Sequence, residues 1–209
     1  MGFTPVPSAD LRAQFGEIDI YLFDQLLRGR FDARRRVLDA GCGSGRNLPY
    51  FFQRGFDLFA IDSDPAAVAV VRNLLARLAP SIPQANVVAG RLDALPWDGA
   101  SMDAVICSAV LHFADDEAHF FRMVQEMWRV LAPQGLFFAR LASSIGIETL
   151  LPAASGRMRL PDGSDRFVVS ERMLLDLNEH LGAVAIEPLK TTNVQNQRCM
   201  TTWVIEKRP

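Results

Sequence analysis

Asp39, Gly41, Gly43 and Gly45 lie within seven residues, Asp39-Ala40-Gly41-Cys42-Gly43-Ser44-Gly45, directly after the apolar pair Val37-Leu38. Glycines at that spacing let a backbone take positive φ and let ligand atoms come close to the peptide planes. Asp62 closes the next apolar run, 21 residues after Gly41. A carboxylate there can accept hydrogen bonds from a ribose diol, because both segments end at the crevice side of an open α/β sheet. Together they describe a nucleoside site. A dinucleotide loop would read G-x-G-x-x-G, but Arg46 stands at the last position and the third glycine comes one residue early. A phosphate-binding loop would need Gly-Lys-Ser/Thr, which the chain lacks. Asp39, just before the glycines, suits a ligand with a cationic end better than a pyrophosphate.

These residues need a scaffold that holds strand ends side by side. Runs rich in β-branched and apolar residues alternate with helical patterns along the chain, which is the signature of an α/β fold. An amphipathic helix is expected over about Leu11 to Leu27, with Phe15, Ile18, Leu22 and Leu26 at helical spacing. Strands follow at Val37–Ala40 and Asp57–Ile61, and a helix runs through Asn47 to Phe52 between them. Asp64 can cap the next helix, where Pro65 fits the first position and leaves Asp62 free for a ligand. Val68, Val71, Leu75 and Leu78 form its buried stripe before Pro80 ends it. Further strands are expected at Asn86–Ala89, Asp103–Ser108 and Gly135–Leu141, with a helix over Asp116–Leu131. The pattern then weakens. Ala142 to Val169, with Pro152, Gly156, Pro161 and Gly163, reads as a long insertion, and such loops are usually functional or mobile. A last helix starts at Ser170 and stops at Gly182, and two closing strands near Val184–Leu189 and Cys199–Glu206 can pair antiparallel.

Composition sets outer limits. The chain has 209 residues, enough for one domain with a small elaboration and a core that needs no metal or disulfide staple. With 22 basic and 24 acidic side chains, the net charge of −2 gives no electrostatic footprint for nucleic acid. No apolar run approaches the roughly 18 residues of a membrane helix. The opening MGFTPVPSAD has neither a basic nor an apolar leader region, so no secretory signal is expected, and Val6 breaks the myristoylation pattern. Three cysteines without metal-like spacing point to a reduced, cytoplasmic protein. His112 and His119, with Asp115, Asp116 and Glu117 between them, fit no zinc signature, so no metal is expected; acids there suit a helix start.

Several motifs in order resemble class I S-adenosylmethionine-dependent methyltransferases, closest to the small type 11 group. They are Asp39-x-Gly41-x-Gly43-x-Gly45, Asp62 at the second strand end, Gly90-Arg91-Leu92-Asp93-Ala94-Leu95-Pro96-Trp97, and Met102-Asp103-Ala104-Val105-Ile106. Arg129 to Gly135 is similar to the family's approach to its fifth strand, and the resemblance covers roughly Arg36 to Leu141. It implies a Rossmann-like seven-stranded sheet, mostly parallel with an antiparallel C-terminal hairpin and helices on both faces. It implies one methyltransferase domain over 1–209, with residues 1–33 as a helical cap and 142–169 as a substrate-side insertion.

The implied cofactor is S-adenosylmethionine. Gly41, Cys42, Gly43 and Gly45 would pack on its methionine part, Asp39 would face its amino group, Asp62 its ribose, and Ser63 would lie beside the adenine. The family often carries Asp after Gly90, where this chain has Arg91, so the adenine edge falls to Leu92 or Asp93. Ser108 and the stretch to His112 would face the sulfonium, with His112 a candidate general base. Cys107 lacks the Pro-Cys pair of cysteine-dependent base methylases, and Ser108-Ala109-Val110 lacks the motif of amino-directed nucleic-acid methylases. Phe15, Tyr21 and Arg140, with loop arginines Arg157, Arg159 and Arg166, are candidates on the substrate side. The expected reaction is in-line methyl transfer to a small molecule. A non-catalytic cofactor-binding module is the alternative, and an NAD(P)-dependent oxidoreductase is disfavoured by the glycine spacing.

Overall fold

The computed structural model describes residues 8–209. Its centre is a sheet in which β1 (Arg36–Ala40), β2 (Asp57–Asp62), β3 (Val87–Ala89), β4 (Met102–Ser108) and β5 (Leu131–Ser143) run parallel. β1 is short and almost wholly buried, as a strand covered on both faces must be. The chain then supplies β6 (Gly156–Arg159), β7 (Asp165–Val168), β8 (Ala183–Ala185), β9 (Lys190–Val194) and β10 (Arg198–Lys207). The sheet order is β3-β2-β1-β4-β5-β10-β8, with β10 antiparallel to both of its neighbours. This is the expected seven-stranded path. An eighth strand, β9, pairs with the first half of β10. The chain goes from β1 outward through β2 and β3, then returns to the other side of β1 as β4. The order reverses there, so a crevice opens beyond the carboxyl ends of β1 and β4.

Six helices cover the two faces: α1 (Ser8–Phe15), α2 (Ile20–Leu27), α3 (Pro49–Gln53), α4 (Pro65–Leu78), α5 (Glu117–Val130) and α6 (Glu171–Leu181). On one face Leu22, Phe51, Val71 and Leu75 pack on Val37, Leu58 and Ile106. On the other, Phe120, Met127, Leu174 and Leu177 pack on Leu38, Phe137 and Trp203. The caps follow their sequence signals. Asp64, Asp116 and Ser170 accept from Ala66, His119 and Met173 amides, and Gly182 takes the left-handed conformation that ends α6.

Three expectations are corrected. The single helix over Leu11 to Leu27 is two helices, because Gly16 adopts φ +65° and Asp19 turns its side chain to cap the amide of Tyr21. Tyr21 therefore sits on α2, not on the first helix. The stretch from 142 to 169 is no structureless loop: β6 and β7 form a two-stranded hairpin, and Met158, Leu160 and Val168 bury against Ala142. The closing strand over 184–189 ends at Ala185, and the chain re-enters the sheet as β9.

β9 is held by a chain of hydroxyls. Thr201 of β10, fully buried, lies 2.6 Å from Ser143 Oγ and 2.7 Å from Thr191 Oγ1. The next β9 residue, Thr192, hydrogen-bonds the hydroxyl of Tyr21 and so ties the sheet to α2. Thr201→Val leaves the two outer hydroxyls without that partner and should cost about 1–3 kcal/mol in urea unfolding.

Candidate functional site

The glycine loop is built around the end of β2. The amides of Gly41 and Cys42 both donate to the Ile61 carbonyl, at 2.8 and 3.0 Å. Gly41 has φ +81°, and a Cβ there would stand 2.4 Å from the Val110 side chain, so only glycine fits. Gly43 has φ +51° with nothing within 4 Å of where a Cβ would be. Its open side is one wall of a cavity of about 550 Å³ at the carboxyl ends of the strands. A cavity of that size takes a nucleoside-sized molecule.

Asp62 is less free than its position in the sequence implies. Its Oδ2 accepts from the Gly43 amide at 2.8 Å and its Oδ1 from the Asp64 amide at 2.9 Å. A carboxylate has about four acceptor positions, so two stay open toward the cavity that Asp62 lines. Ser63 and Leu92 line the same end, together with Gly90 and Arg91. Asp93 does not. Its carboxylate is taken by Arg91 at 2.8 and 2.9 Å and faces His119 at 3.7 Å. Those partners hold its pKa below the usual carboxylate range, the Arg91 hydrogen bonds doing most.

Asp39 is buried beneath the loop, and neither carboxylate oxygen has a partner. Burial raises its pKa from 3.8 to about 7; Arg46 opposes the rise and Asp62 adds to it. Cys42 forms part of the cavity wall, and burial pushes its thiol up, so it serves as an uncharged surface.

At the other end of the cavity Ser108, which the sequence singles out, and Arg46, which it does not, line the wall; Asp19, Tyr21 and Arg140 join them through hydrogen bonds and packing but are not among the cavity-lining residues. Ser108 Oγ accepts from Arg46 at 2.8 Å and donates to Asp19 at 3.2 Å. Arg46 and Arg140 both reach Asp19 Oδ2, at 3.3 and 3.2 Å, and the Arg140 guanidinium lies 5.0 Å from the centre of the Tyr21 ring. Asn47 accepts the Asp19 amide at 3.0 Å. Arg46, the residue that broke the dinucleotide pattern, was the available signal. Asp19 sits 27 residues upstream of Arg46, inside what the sequence reads as one unbroken helix, and gives no signal of its own. Phe113, in a one-turn helix over Leu111–Phe113, also lines this end. His112 beside it is buried, with Nδ1 unpartnered, and it is not among the cavity-lining residues. Burial, then Arg166, Arg140 and Arg198, depress its pKa to about 4. Phe15 stacks on Tyr50 and packs edge-on to Phe23, away from the cavity. Among the described residues, no three His, Cys, Asp or Glu come together as a metal site.

A Rossmann-like sheet whose order reverses beside a glycine loop, with an aspartate closing the next strand, defines the class I methyltransferase architecture. Residues 38–139 match the family described as methyltransferase domain. An uncharacterized methyltransferase of Mycobacterium tuberculosis is 34% identical over 103 residues, 49% of this chain and 38% of that protein. A protein of Mycolicibacterium smegmatis, named a probable S-adenosylmethionine-dependent methyltransferase, is 36% identical over 123 residues, 57% of this chain and 44% of that one. The match therefore spans less than half the length of either relative. Among solved structures, a 1,6-didemethyltoxoflavin-N1-methyltransferase of Burkholderia thailandensis superposes with a TM-score of 0.69 at 18% identity, covering 100% of this chain and 94% of that one. The [4+2]-cyclase SpnF superposes with a TM-score of 0.71 at 15% identity, covering 90% and 81%. At those identities the likeness concerns the fold alone. Residues 38–139, about half of the chain, are a class I S-adenosylmethionine-dependent methyltransferase domain of the type 11 group.

S-adenosylmethionine is that family's cofactor, and the residues present fit it. The open side of Gly43 gives room against the backbone, Asp62 keeps acceptor positions for a diol, and unpartnered Asp39 suits a nearby ammonium. Two buried groups also pull stability in opposite directions. Asp39 holds its proton more tightly folded than unfolded, so it removes stability as pH rises from about 4 to about 7. His112 holds its proton less tightly folded, so it removes stability as pH falls from 6.5 to about 4. Asp39→Asn should abolish the first trend only. Without ligand at pH 8 the variant should unfold in urea with an advantage on the order of 2 kcal/mol over the wild type.

Proposed function

We propose that the protein transfers a methyl group from S-adenosylmethionine to a small-molecule acceptor by in-line displacement. The observation that carries this reading is the continuous cavity, which runs from Asp62 and Leu92, past the glycine loop, to Ser108 and Phe113. It has an acidic, diol-accepting end and a separate polar end for a second reactant. When bound, the cofactor supplies an electrophilic methyl group on a cationic sulfur. The work of the chain is to position two reactants and exclude water, which lowers the barrier by converting a two-body encounter into an ordered contact. In this reading Asp39 and the loop Gly41, Cys42, Gly43 and Gly45 seat the methionine part. Asp62 holds the ribose, and Ser63 and Leu92 flank the adenine, with Asp93 fixing Arg91 beside it.

Tyr21, Arg140 and Ser108 stand on the acceptor side, and Phe15 buttresses the helix pair that carries Tyr21. His112, pushed down to about 4 by burial and neighbouring arginines, is neutral at pH 7, a weak base and not a cavity-lining residue, so it supplies no strong deprotonation of the acceptor. That favours a nucleophile needing little deprotonation, such as an amine or thiolate. The chain acts as one methyltransferase domain, with the N-terminal segment to residue 33 as a cap, of which 1–7 lie outside the described residues, and 142–169 on the substrate side. Three free buried thiols fit a reducing, cytoplasmic setting, and no described helix is long and apolar enough to cross a membrane.

Incubation with methyl-labelled cofactor and fractionated cell extract should move label into a small-molecule fraction. Tight S-adenosylhomocysteine binding without transfer to any fraction would instead support the non-catalytic module. Asp62→Ala should weaken S-adenosylhomocysteine binding about 10- to 100-fold by calorimetry, the loss of hydrogen bonds to a charged acceptor. Unchanged affinity would remove the cofactor assignment.

A further inference from the structure

Arg46 lines the cavity beside Ser108, and Arg140, which is not itself a cavity-lining residue, meets it on a shared carboxylate. Arg46 and Arg140 converge on one carboxylate oxygen, Asp19 Oδ2. Asp19 is almost fully buried, and its Oδ1 is already committed to the Tyr21 amide at 3.0 Å. Two guanidinium groups therefore share one negative charge. Arg140 Nε is buried with no partner at all. Arg166 lies over the ring of cavity-lining Phe113, 4.9 Å from its centre, and donates only to the carbonyl of Asp165 among the described residues. The neighbouring His112 is neutral and adds nothing to offset them. Arg91, at the opposite end, is by contrast fully paired with Asp93.

From this convergence of arginines on a single buried carboxylate, we propose that the acceptor bears an anionic group, a carboxylate in the first instance, which Arg140 recognises together with Arg46. This rests on the methyl-transfer reading and sharpens its substrate class. Guanidinium groups bind planar oxyanions through paired hydrogen bonds, and in a partly buried wall such contacts discriminate strongly against a neutral isostere. Asp19 has a second role in this arrangement. It aligns the two arginines when the cavity is vacant, and it competes with the acceptor's anion for them. Arg140 is thus a specificity residue, and Asp19 a positioning residue that tempers it. Arg166, over Phe113, adds positive field at the same end without a direct contact of its own.

The test uses the full chain and matched probe pairs, benzoate with benzamide and indole-3-acetate with indole-3-acetamide. Ligand-observed NMR measures them with and without saturating S-adenosylhomocysteine. Wild type should bind each carboxylate about tenfold more tightly than its amide. Arg140→Gln should abolish that preference while leaving S-adenosylhomocysteine affinity within about threefold. Asp19→Asn, which keeps the helix cap, should move the preference the other way and strengthen it. A cluster that served only to hold the fold would weaken in both variants. Melting curves confirm that each variant is folded, and Arg140→Lys, which keeps the charge, should retain part of the preference if Arg140→Gln fails to fold. Equal binding of acid and amide by wild type overturns the proposal, as does a preference that survives Arg140→Gln. A fall in S-adenosylhomocysteine affinity that matches the lost preference assigns the arginines to the cofactor's own carboxylate, and also overturns it. Failure of wild type to bind S-adenosylhomocysteine would instead strike the methyl-transfer reading, and the probe pairs measured without it still report on the arginine wall.

Discussion

The site depends on one carboxylate that ties two backbones together. Asp62 ends β2, and its two oxygens take the amides of Gly43 from the glycine loop and Asp64 from the start of α4. Each bond satisfies a donor that would otherwise lie unpaired at a strand-to-helix turn. With the loop amides of Gly41 and Cys42 also bonded to Ile61, the end of β2 becomes the template on which the loop is shaped. The same carboxylate keeps acceptor capacity toward the cavity. One side chain therefore sets the loop geometry and keeps acceptor positions open to the cavity.

Around that tie the cavity is chemically divided. At one end the Asp62 carboxylate faces a loop whose glycines leave room against the backbone, with Asp39 buried beneath it. At the other, Arg46 lines the wall and shares Asp19 with Arg140 behind the lining residues. The burial of Asp39 without a partner is a cost that the unliganded protein carries, and it is visible in a carboxyl held near 7. Burying a charge without a counterion is unfavourable, and a ligand cation relieves it. The N-terminal helices join in this division. Asp19 caps α2 and reaches the arginines, so that helix is tied both to Arg46 after the glycine loop and to Arg140 of β5.

The core of the fold was legible because it obeys short-range rules. Alternating strand and helix patterns, Asp64 before Pro65, and Ser170 before α6 each carry a local signal, and the structure follows them. The glycine loop and Asp62 were legible for the same reason, since their spacing along the chain reflects adjacent strand ends. The break at Gly16 was not, because a helical stripe on both sides masked a residue that takes positive φ only once Asp19 finds its buried partners. The β6–β7 hairpin was hidden by its composition, since Arg157, Arg159 and Arg166 give a short strand pair no apolar alternation to recognise. Asp93 looked available in sequence, but Arg91 two residues earlier is well placed to claim it. Contacts across 62 to 121 residues, such as Arg46 with Ser108 and Arg140 with Asp19, have no local signature and appear only when the sheet assembles.

The central claim is that the crevice beside Asp62 holds the cofactor's ribose with the methionine part along the glycine loop. A crystal structure of the complex with S-adenosylhomocysteine tests it most directly. Both ribose hydroxyls should lie within about 2.5–3.0 Å of the Asp62 carboxylate. The ligand amine should lie on the Asp39 side of Gly41, with the sulfur pointing toward Ser108. A ligand bound elsewhere, or one in this cavity whose ribose makes no contact with Asp62, would contradict it.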